Sequence, residues 1–298
     1  MTIKKITDVS LRLMFALTWV ASATGCIKED LSNCNNASHT FTVRAYDSSG
    51  GELSQSDVQD VALYIFNSSL CFVECIDAQI GQNVQVQIPG GEDIHIVAWG
   101  NLKGGSQKCT TPSVGDHKDV CFINLLPHTR SLNYSISPDD LFRGEITVSK
   151  EKQSGEKVLP IYRETGNMTI IVRNLKTFTG FNDDNYAVEV RETHSIIDFY
   201  GNLSGDKVAY RPAGSFLTTN NREEYDVPPF NLMPEDTGIY IDIYHNGGLV
   251  TTVSQDGNGN PITVQKGKLT NVLIDLKATL NVSVSLTAWG EREMWKEF

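Results

Sequence analysis

The chain has 298 residues, 40% of them hydrophobic, with 24 glycines, 10 prolines and a formal net charge of −11. A surface this acidic repels nucleic acid and anionic headgroups, so neither is expected as a partner. The length suits two hydrophobic cores of ordinary size, and Gly/Asn punctuation without helical heptads points to an all-β chain of short strands joined by turns.

At the N-terminus, Lys4, Lys5 and Arg12 form a basic region, Leu11 to Val20 an apolar one, and Ala21 to Gly25 a run of small residues. That is the layout of an export signal, and its apolar run falls short of the roughly 18–20 residues that cross a bilayer. Residues 1–25 therefore read as a cleaved signal peptide. The Gly25-Cys26 step resembles the bacterial lipobox, whose cysteine is acylated and becomes the mature N-terminus. Dual acylation supplies the two buried chains that stable anchoring requires. The alternative is an ordinary signal peptide cut near Ala23 or Gly25, with Cys26 left free. Lys28-Glu29-Asp30 resembles the Lys-plus-acids signal of surface-exposed lipoproteins in Gram-negative anaerobes; alone, such a run is a solvated tether. Losing Lys4, Lys5, Arg12 and Asp8 removes a net +2 and leaves the mature chain at −13.

Residues 26–39 form an Asn/Ser-rich tether, after which the strand signals begin. Thr40 to Tyr46 alternates Phe41, Val43 and Ala45 with polar neighbours, and Val61 to Phe66 is apolar on both faces, as a central strand would be. Cys71 to Ile76, Val84 to Ile88 and Ile94 to Trp99 follow at short spacing, the pattern of an antiparallel sandwich. The charged stretch from Lys150 to Lys157 is the expected domain boundary, dividing a first sandwich over 40–150 from a second over 158–298. The second half resumes with Met168 to Val172, Val188 to Val190, Ile196 to Tyr200 and Ile239 to Ile243. A hairpin signal at Asn246-Gly247-Gly248 leads to Val250–Val253, then Val272 to Leu276 and the period-two stripe Leu280, Val282, Val284, Leu286.

Val61-Ala62-Leu63-Tyr64-Ile65-Phe66-Asn67, Ile94-His95-Ile96-Val97-Ala98-Trp99-Gly100-Asn101 and Asp140-Leu141-Phe142-Arg143-Gly144 resemble segments of the anchor subunits of type V fimbriae, lipoproteins related to the fimbrillins. Cys26 to Asp30, with Cys34 shortly after, is similar to the start of such an anchor. The resemblance implies two tandem transthyretin-like antiparallel β-sandwich domains, a lipid anchor in the outer membrane, and a fimbrial shaft subunit as protein partner.

No nucleophile motif, His-Glu-x-x-His or phosphate-cradling glycine loop is present, and the six histidines are scattered singly. No catalytic residue, cofactor or metal site is therefore expected. Asp256-Gly257-Asn258-Gly259-Asn260 starts like a calcium loop, but Pro261 and Gly267 stand where that loop needs Gly and Glu, so it reads as a hairpin turn. Asp183-Asp184 and Asp139-Asp140 read as solvated loop acids, with the alternative for the second pair that it caps a helical turn through Leu141-Phe142. With Cys26 given to lipid, five cysteines remain. Cys71 and Cys75, about 13 Å apart along one strand, cannot bridge each other. Cys109 and Cys121 flank a loop and are a candidate hairpin-closing disulfide.

Two functions of different class remain: a structural anchor at the base of a fimbria, and a surface glycan-binding lipoprotein using Trp99, Trp289 and Trp295 as a platform, against which Trp99 lies in a strand that reads as buried and the other two sit at the C-terminal end. In fimbrillin relatives a subunit loses its first strand and accepts a neighbour's C-terminal segment. An anchor cut after Arg44 would be severed from its lipid, so its first strand is expected to stay. A C-terminal segment from Leu280 would then be the donor or the closing strand of the second sandwich. The tail beyond Ala288, with Trp289, Met294, Trp295 and Phe298, is the better donor candidate.

Overall fold

The computed structural model describes residues 37–88, 93–128, 131–149, 157–217, 223–277 and 279–293, together with Trp295. The signal peptide, Cys26, Lys28, Glu29, Asp30, Cys34, the stretch 150–156, Met294 and Phe298 lie outside them. The fold is almost entirely β.

One seven-stranded sheet runs in the order β3 (Phe72–Ala78), β2 (Val61–Phe66), β5 (Ile94–Gly100), β10 (Phe142–Val148), β11 (Lys157–Arg163), β1 (Ala37–Tyr46), β4 (Asn83–Ile88). The alternation of Phe41, Val43 and Ala45 places all three, fully buried, on one face of β1. They pack in one cluster with Leu63 and Ile65 of β2, Ile96 and Ala98 of β5, and Leu159 and Ile161 of β11. Strands from the two ends of one sheet thus face each other, so the sheet curls over its own core. The corner lies between β10 and β11, which pair at only two positions, Phe142↔Arg163 and Arg143↔Tyr162.

The double-sided burial of β2 has a direct cause. Val61, Leu63 and Ile65 face that first cluster, while Ala62, Tyr64 and Phe66 face a second and larger one. Two further sheets supply the rest of the larger cluster. One runs β15 (Ser215–Leu217), β16 (Glu224–Leu232), β12 (Gly166–Arg173), β19 (Lys268–Leu276), β20 (Leu280–Ala288). The other runs β18 (Gly248–Val253), β17 (Tyr240–His245), β13 (Tyr186–Asp198), β14 (Leu203–Tyr210), β9 (Ser131–Ser135), β8 (Pro127–His128). A short helix, α1 (Leu175–Thr179), buries Leu175 beneath them. Pairing is antiparallel except at β1–β11, β12–β19 and β9–β14.

Strand pairing crosses the charged stretch around residue 150. β7 (Phe122–Leu125) pairs with β6 (Gln107–Cys109) on one side and with β13 on the other. β11, which begins at Lys157, belongs to the first sheet. The expected stretches Val188–Val190 and Ile196–Tyr200 fall largely within the single long strand β13, and Asn246-Gly247 makes its hairpin with φ of 49° and 81°, the left-handed values such a turn requires. Leu141-Phe142 does not form a helical turn: both residues are fully buried and Phe142 opens β10.

Phe199, in the turn after β13, reaches across to the first sheet. Its ring meets Tyr64 edge-on at 4.7 Å, lies 5.7 Å from Trp99 and 6.4 Å from Phe66, and is itself fully buried. Truncating such an aromatic removes its transfer free energy and leaves a cavity, so Phe199→Ala should lower unfolding stability by about 3–5 kcal/mol in chemical denaturation. A loss within the ~0.5 kcal/mol typical of surface changes would mean that strand pairing alone joins the two halves.

Candidate functional site

For a chain expected to be held at its N-terminus and to engage a partner through its C-terminus, the two terminal strands and the residues joining them form the candidate site. β1 lies inside its sheet. It pairs in parallel with β11 from Phe41↔Lys157 to Tyr46↔Tyr162, and antiparallel with β4 from Ala37↔Ile88 to Thr42↔Asn83. Both backbone edges are engaged, and Thr42 Oγ1 donates to Asn83 Oδ1 at 2.6 Å.

At the other terminus, β20 is the edge strand of its sheet and pairs with β19 over nine positions, Leu276↔Leu280 to Lys268↔Ala288. Leu280–Ala288 therefore closes a sheet here. The residues beyond it fold back. Glu291 N donates to Ala288 O at 3.0 Å, Glu293 N to Asn271 Oδ1 at 2.9 Å, and Arg292 pairs with Asp226 of β16. The Trp289 ring lies 4.5 Å from the Arg163 guanidinium, which is 4.9 Å from the Phe142 ring and donates through Nε to Asp140 Oδ2 at 2.8 Å. Of the candidate tail residues, Trp289 is thus packed on the body and Trp295 is half-buried.

Arg163 brings together residues that stand far apart in sequence. The Asp140-Leu141-Phe142-Arg143-Gly144 segment supplies most of its surroundings, and each member has a physical task. Asp140 holds Arg163, and Leu141 and Phe142 fill the core. Arg143 Nε donates to the Phe199 carbonyl at 2.9 Å, tying the inter-sheet turn. Gly144 sits so close to β11 that an added Cβ would lie 1.9 Å from the Pro160 carbonyl oxygen. The Trp99-Gly100-Asn101 segment reaches the same place. Asn101, at φ 60°, donates through Nδ2 to the carbonyls of Asp57 (2.9 Å) and Asp140 (2.8 Å). Nothing in the sequence pattern pointed to Arg163, which lies in a short apolar run beside the expected boundary.

The remaining charges around this junction are paired. Glu145 accepts from Arg143 at 2.6 Å and Lys118 at 2.9 Å; Lys118 lies 4.1 Å from the Tyr200 ring centre, and Tyr200 donates to Asp119 at 2.7 Å. Lys266 pairs with Glu164. Burial pushes the Asp140 carboxyl up to about 6 despite the Arg163 charge, and raises Glu164 despite Lys266.

Cys109 and Cys121 are free thiols, contrary to the candidate bridge. The register explains why. Cys109 faces Ile123, and Cys121 lies two residues before Ile123, just ahead of β7. Such diagonal partners are about 7–8 Å apart, beyond the ~4.4–6.8 Å Cα separation of a disulfide. Cys109 Sγ instead lies 3.3 Å from Tyr64 Oη. Burial pushes the thiols of Cys75, Cys109 and Cys121 up to about 11. Among the described residues no group of three or more His, Cys, Asp or Glu could hold a metal ion. Asp256 accepts from the amides of Asn258 (2.9 Å) and Asn260 (2.8 Å), satisfying its own turn. Trp99, offered above as a platform residue, is fully buried and unavailable to a glycan.

The profile of a family described as fimbrillin-A associated anchor proteins Mfa1 and Mfa2 matches residues 31–295. The chain is 28% identical over 292 residues to the major fimbrium anchoring subunit FimB of Porphyromonas gingivalis strain W83, covering 92% of this chain and 93% of that protein. Its fold is similar to that of the fimbrial anchor protein Mfa2 from Porphyromonas gingivalis, with a TM-score of 0.61 at 12% identity over 85% of this chain and 97% of that one. It is also similar to a Bacteroides thetaiotaomicron protein described as a candidate polysaccharide-binding protein, with a TM-score of 0.65 at 14% identity over 86% of this chain and 99% of that one.

A folded-state pKa raised to about 6 means that Asp140 contributes its stability below about pH 4 and loses it as pH rises through 6. The shift from 3.8 corresponds to a loss of at most about 3 kcal/mol between pH 4 and pH 7. Asp140→Asn cannot titrate, so its stability relative to wild type should climb across that interval in chemical denaturation. Parallel curves for the two proteins would show that Asp140 is ionised throughout.

Proposed function

The chain belongs to the family of fimbrillin-A associated anchor proteins, and from that premise we propose that it is an outer-membrane lipoprotein, exposed on the cell surface, that holds the base of a fimbria. The observation that carries this reading is the place of β1, locked between β11 and β4 and reached by a short tether from Cys26. A body fastened through a strand paired on both sides transmits a pull to a whole sheet. Lipid on Cys26 would supply the membrane end, and Lys28, Glu29 and Asp30 the surface address.

At the other end we assign the contact with the first shaft subunit to the C-terminal segment. β20 closes its own sheet, so the part offered to a partner is the tail beyond Trp289, whose hydrogen bonds and ion pairs to the body among the described residues run through Glu291, Arg292 and Glu293. A strand added to a partner's open edge gains ladder hydrogen bonds and side-chain burial together. Glycan binding loses Trp99 as a platform, and the likeness to the candidate polysaccharide-binding protein is one of fold. The family reading also carries no expectation of enzymatic activity.

Cys26→Ala should release the protein from the membrane fraction, read by fractionation. Equal membrane retention would remove the lipid anchor and with it the first step of this reading. Deleting residues 290–298 should leave a folded, surface-displayed protein whose fimbriae are shed into the medium. Fimbriae still held on the cell would move the contact from the tail to the sheet surfaces.

A further inference from the structure

Six described arginines each hold a carboxylate: Glu52, Glu145, Asp140, Glu224, Asp242 or Asp226. Arg211, just past the end of β14, holds none among the described residues. In a chain of net charge −11, an arginine that holds no carboxylate stands out. Its neighbours are aromatic. The rings of Tyr134 and Tyr244 lie 5.7 and 5.8 Å from its Cζ. Cation–π contacts of this kind use the face of the guanidinium and leave its N–H fork open. Tyr134 is itself fixed, because its hydroxyl bonds the Glu189 carboxylate, which raises its pKa.

Arg211 stands at the rim of a cavity of about 510 Å³, within the range of roughly 300–1,000 Å³ typical of ligand sites. The walls are mostly apolar, with Ile136, Tyr210, Pro212, Pro228 and Phe230, and His128 adds a polar group. Tyr210 is buried and held in place, its hydroxyl oxygen accepting from Thr193 Oγ1 and from the Met233 amide, both at 3.2 Å. Pro228 and Pro229 lie in β16 where its register with β12 shifts, between Val227 and Phe230. Neither proline has an amide hydrogen, so this stretch of edge cannot extend a backbone ladder. What remains for recognition is the pocket and the arginine.

We propose that this cavity is a docking site for an acidic peptide segment of a partner protein, in which a bulky apolar side chain fills the pocket and an adjoining Asp or Glu carboxylate takes the Arg211 fork. Charge complementarity selects the anion, and the walls select the apolar group. An acidic sugar would satisfy Arg211 equally well but not the walls. Its hydroxyls would meet Ser137, already donating to Asn231 O at 2.5 Å, the Tyr134 hydroxyl bonded to Glu189, and a Tyr210 oxygen that already accepts two bonds. Each hydroxyl buried without a partner costs about 1–3 kcal/mol. The site is separate from the C-terminal tail and does not depend on the tail's role.

The test uses the purified protein with three probes followed by NMR titration: acetyl-Leu-Asp-amide, acetyl-Leu-Asn-amide and methyl glucuronide. The Asp peptide should bind saturably and at least roughly tenfold more tightly than the Asn peptide, the size of one charge-assisted pair. Arg211→Gln, at an exposed position, should abolish that preference while leaving the unfolding temperature unchanged, and Ala213→Trp, which fills the cavity, should abolish binding of both peptides. Equal binding of the two peptides, retention of the preference in Arg211→Gln, glucuronide binding as tight as the Asp peptide, or no saturable binding would each overturn the proposal.

Discussion

The structure depends on one strand being buried on both faces. β2 sends Leu63 and Ile65 into the core of the curled first sheet and Tyr64 and Phe66 into the core shared with the other two sheets. A strand in that position cannot be amphipathic, and Val61–Phe66 contains no charged side chain. Because both cores rest on the same backbone, the sheets are layers of one packed body. Phe199 and Arg143 then fix the angle between them, one by burial and the other by a charge-assisted bond to the Phe199 carbonyl.

The same geometry explains which parts were legible in the sequence. β1, β2 and β5 announce themselves because burial on one face or two leaves a period-two or continuous apolar record along a single segment; β20 carries the same period-two stripe, yet Leu280 and Leu286 at the ends of that stripe are exposed and only its Val282 is buried. β6 to β9 leave none. They are two to five residues long, and what holds them is pairing with one another and with β13 and β14, strands far along the chain. Asp140 was visible as an acid before an apolar pair, which fits a helix cap equally well. Only its contact with Arg163, from a strand beyond the charged stretch, gives it another role. Trp99 shows the converse. Its aromatic character suggested a surface platform, while the alternation Ile94, Ile96, Ala98 already assigned its neighbours to one core and left Trp99 to the other.

The terminal strand β1 was legible as a local pattern, and the middle of the candidate site was hidden; the cysteine at position 26 and the tail beyond Ala288 stay expectations drawn from local signals. The Arg163 cluster is assembled from β10, β11 and the residue after β20, and no window of sequence contains all three. Glycine marks the cost of that assembly. Gly144 is required because β10 must pass the Pro160 carbonyl at the corner of the curled sheet, and Gly166 because an added Cβ would meet Val264 Cγ1 at 2.3 Å. Both lie where the first sheet hands over to the next.

That handover gives the fold a continuous mechanical route. The N-terminal strand β1 runs parallel to β11 through six registered pairs. β11 continues through only Glu164 and Thr165 into β12, which runs parallel to β19 through seven, and β19 pairs with β20 through nine. A pull between the first strand and the last is therefore shared along ladders of many hydrogen bonds, with one short covalent crossing between sheets. Thr165 is fully buried at that crossing, Glu164 is held by Lys266, and Arg163 just before it is clamped between Phe142 and Trp289. The crossing is the point where slack would let the sheets part, and it is where buried charge, aromatic packing and obligatory glycine are concentrated. Burying the Asp140 and Glu164 carboxylates there carries a desolvation penalty, visible in the raised pKa of both. A chain that only had to fold would be as stable with apolar residues in those places. One that must resist a pull along β1 and β20 gains from directional bonds that fix the angle between its sheets.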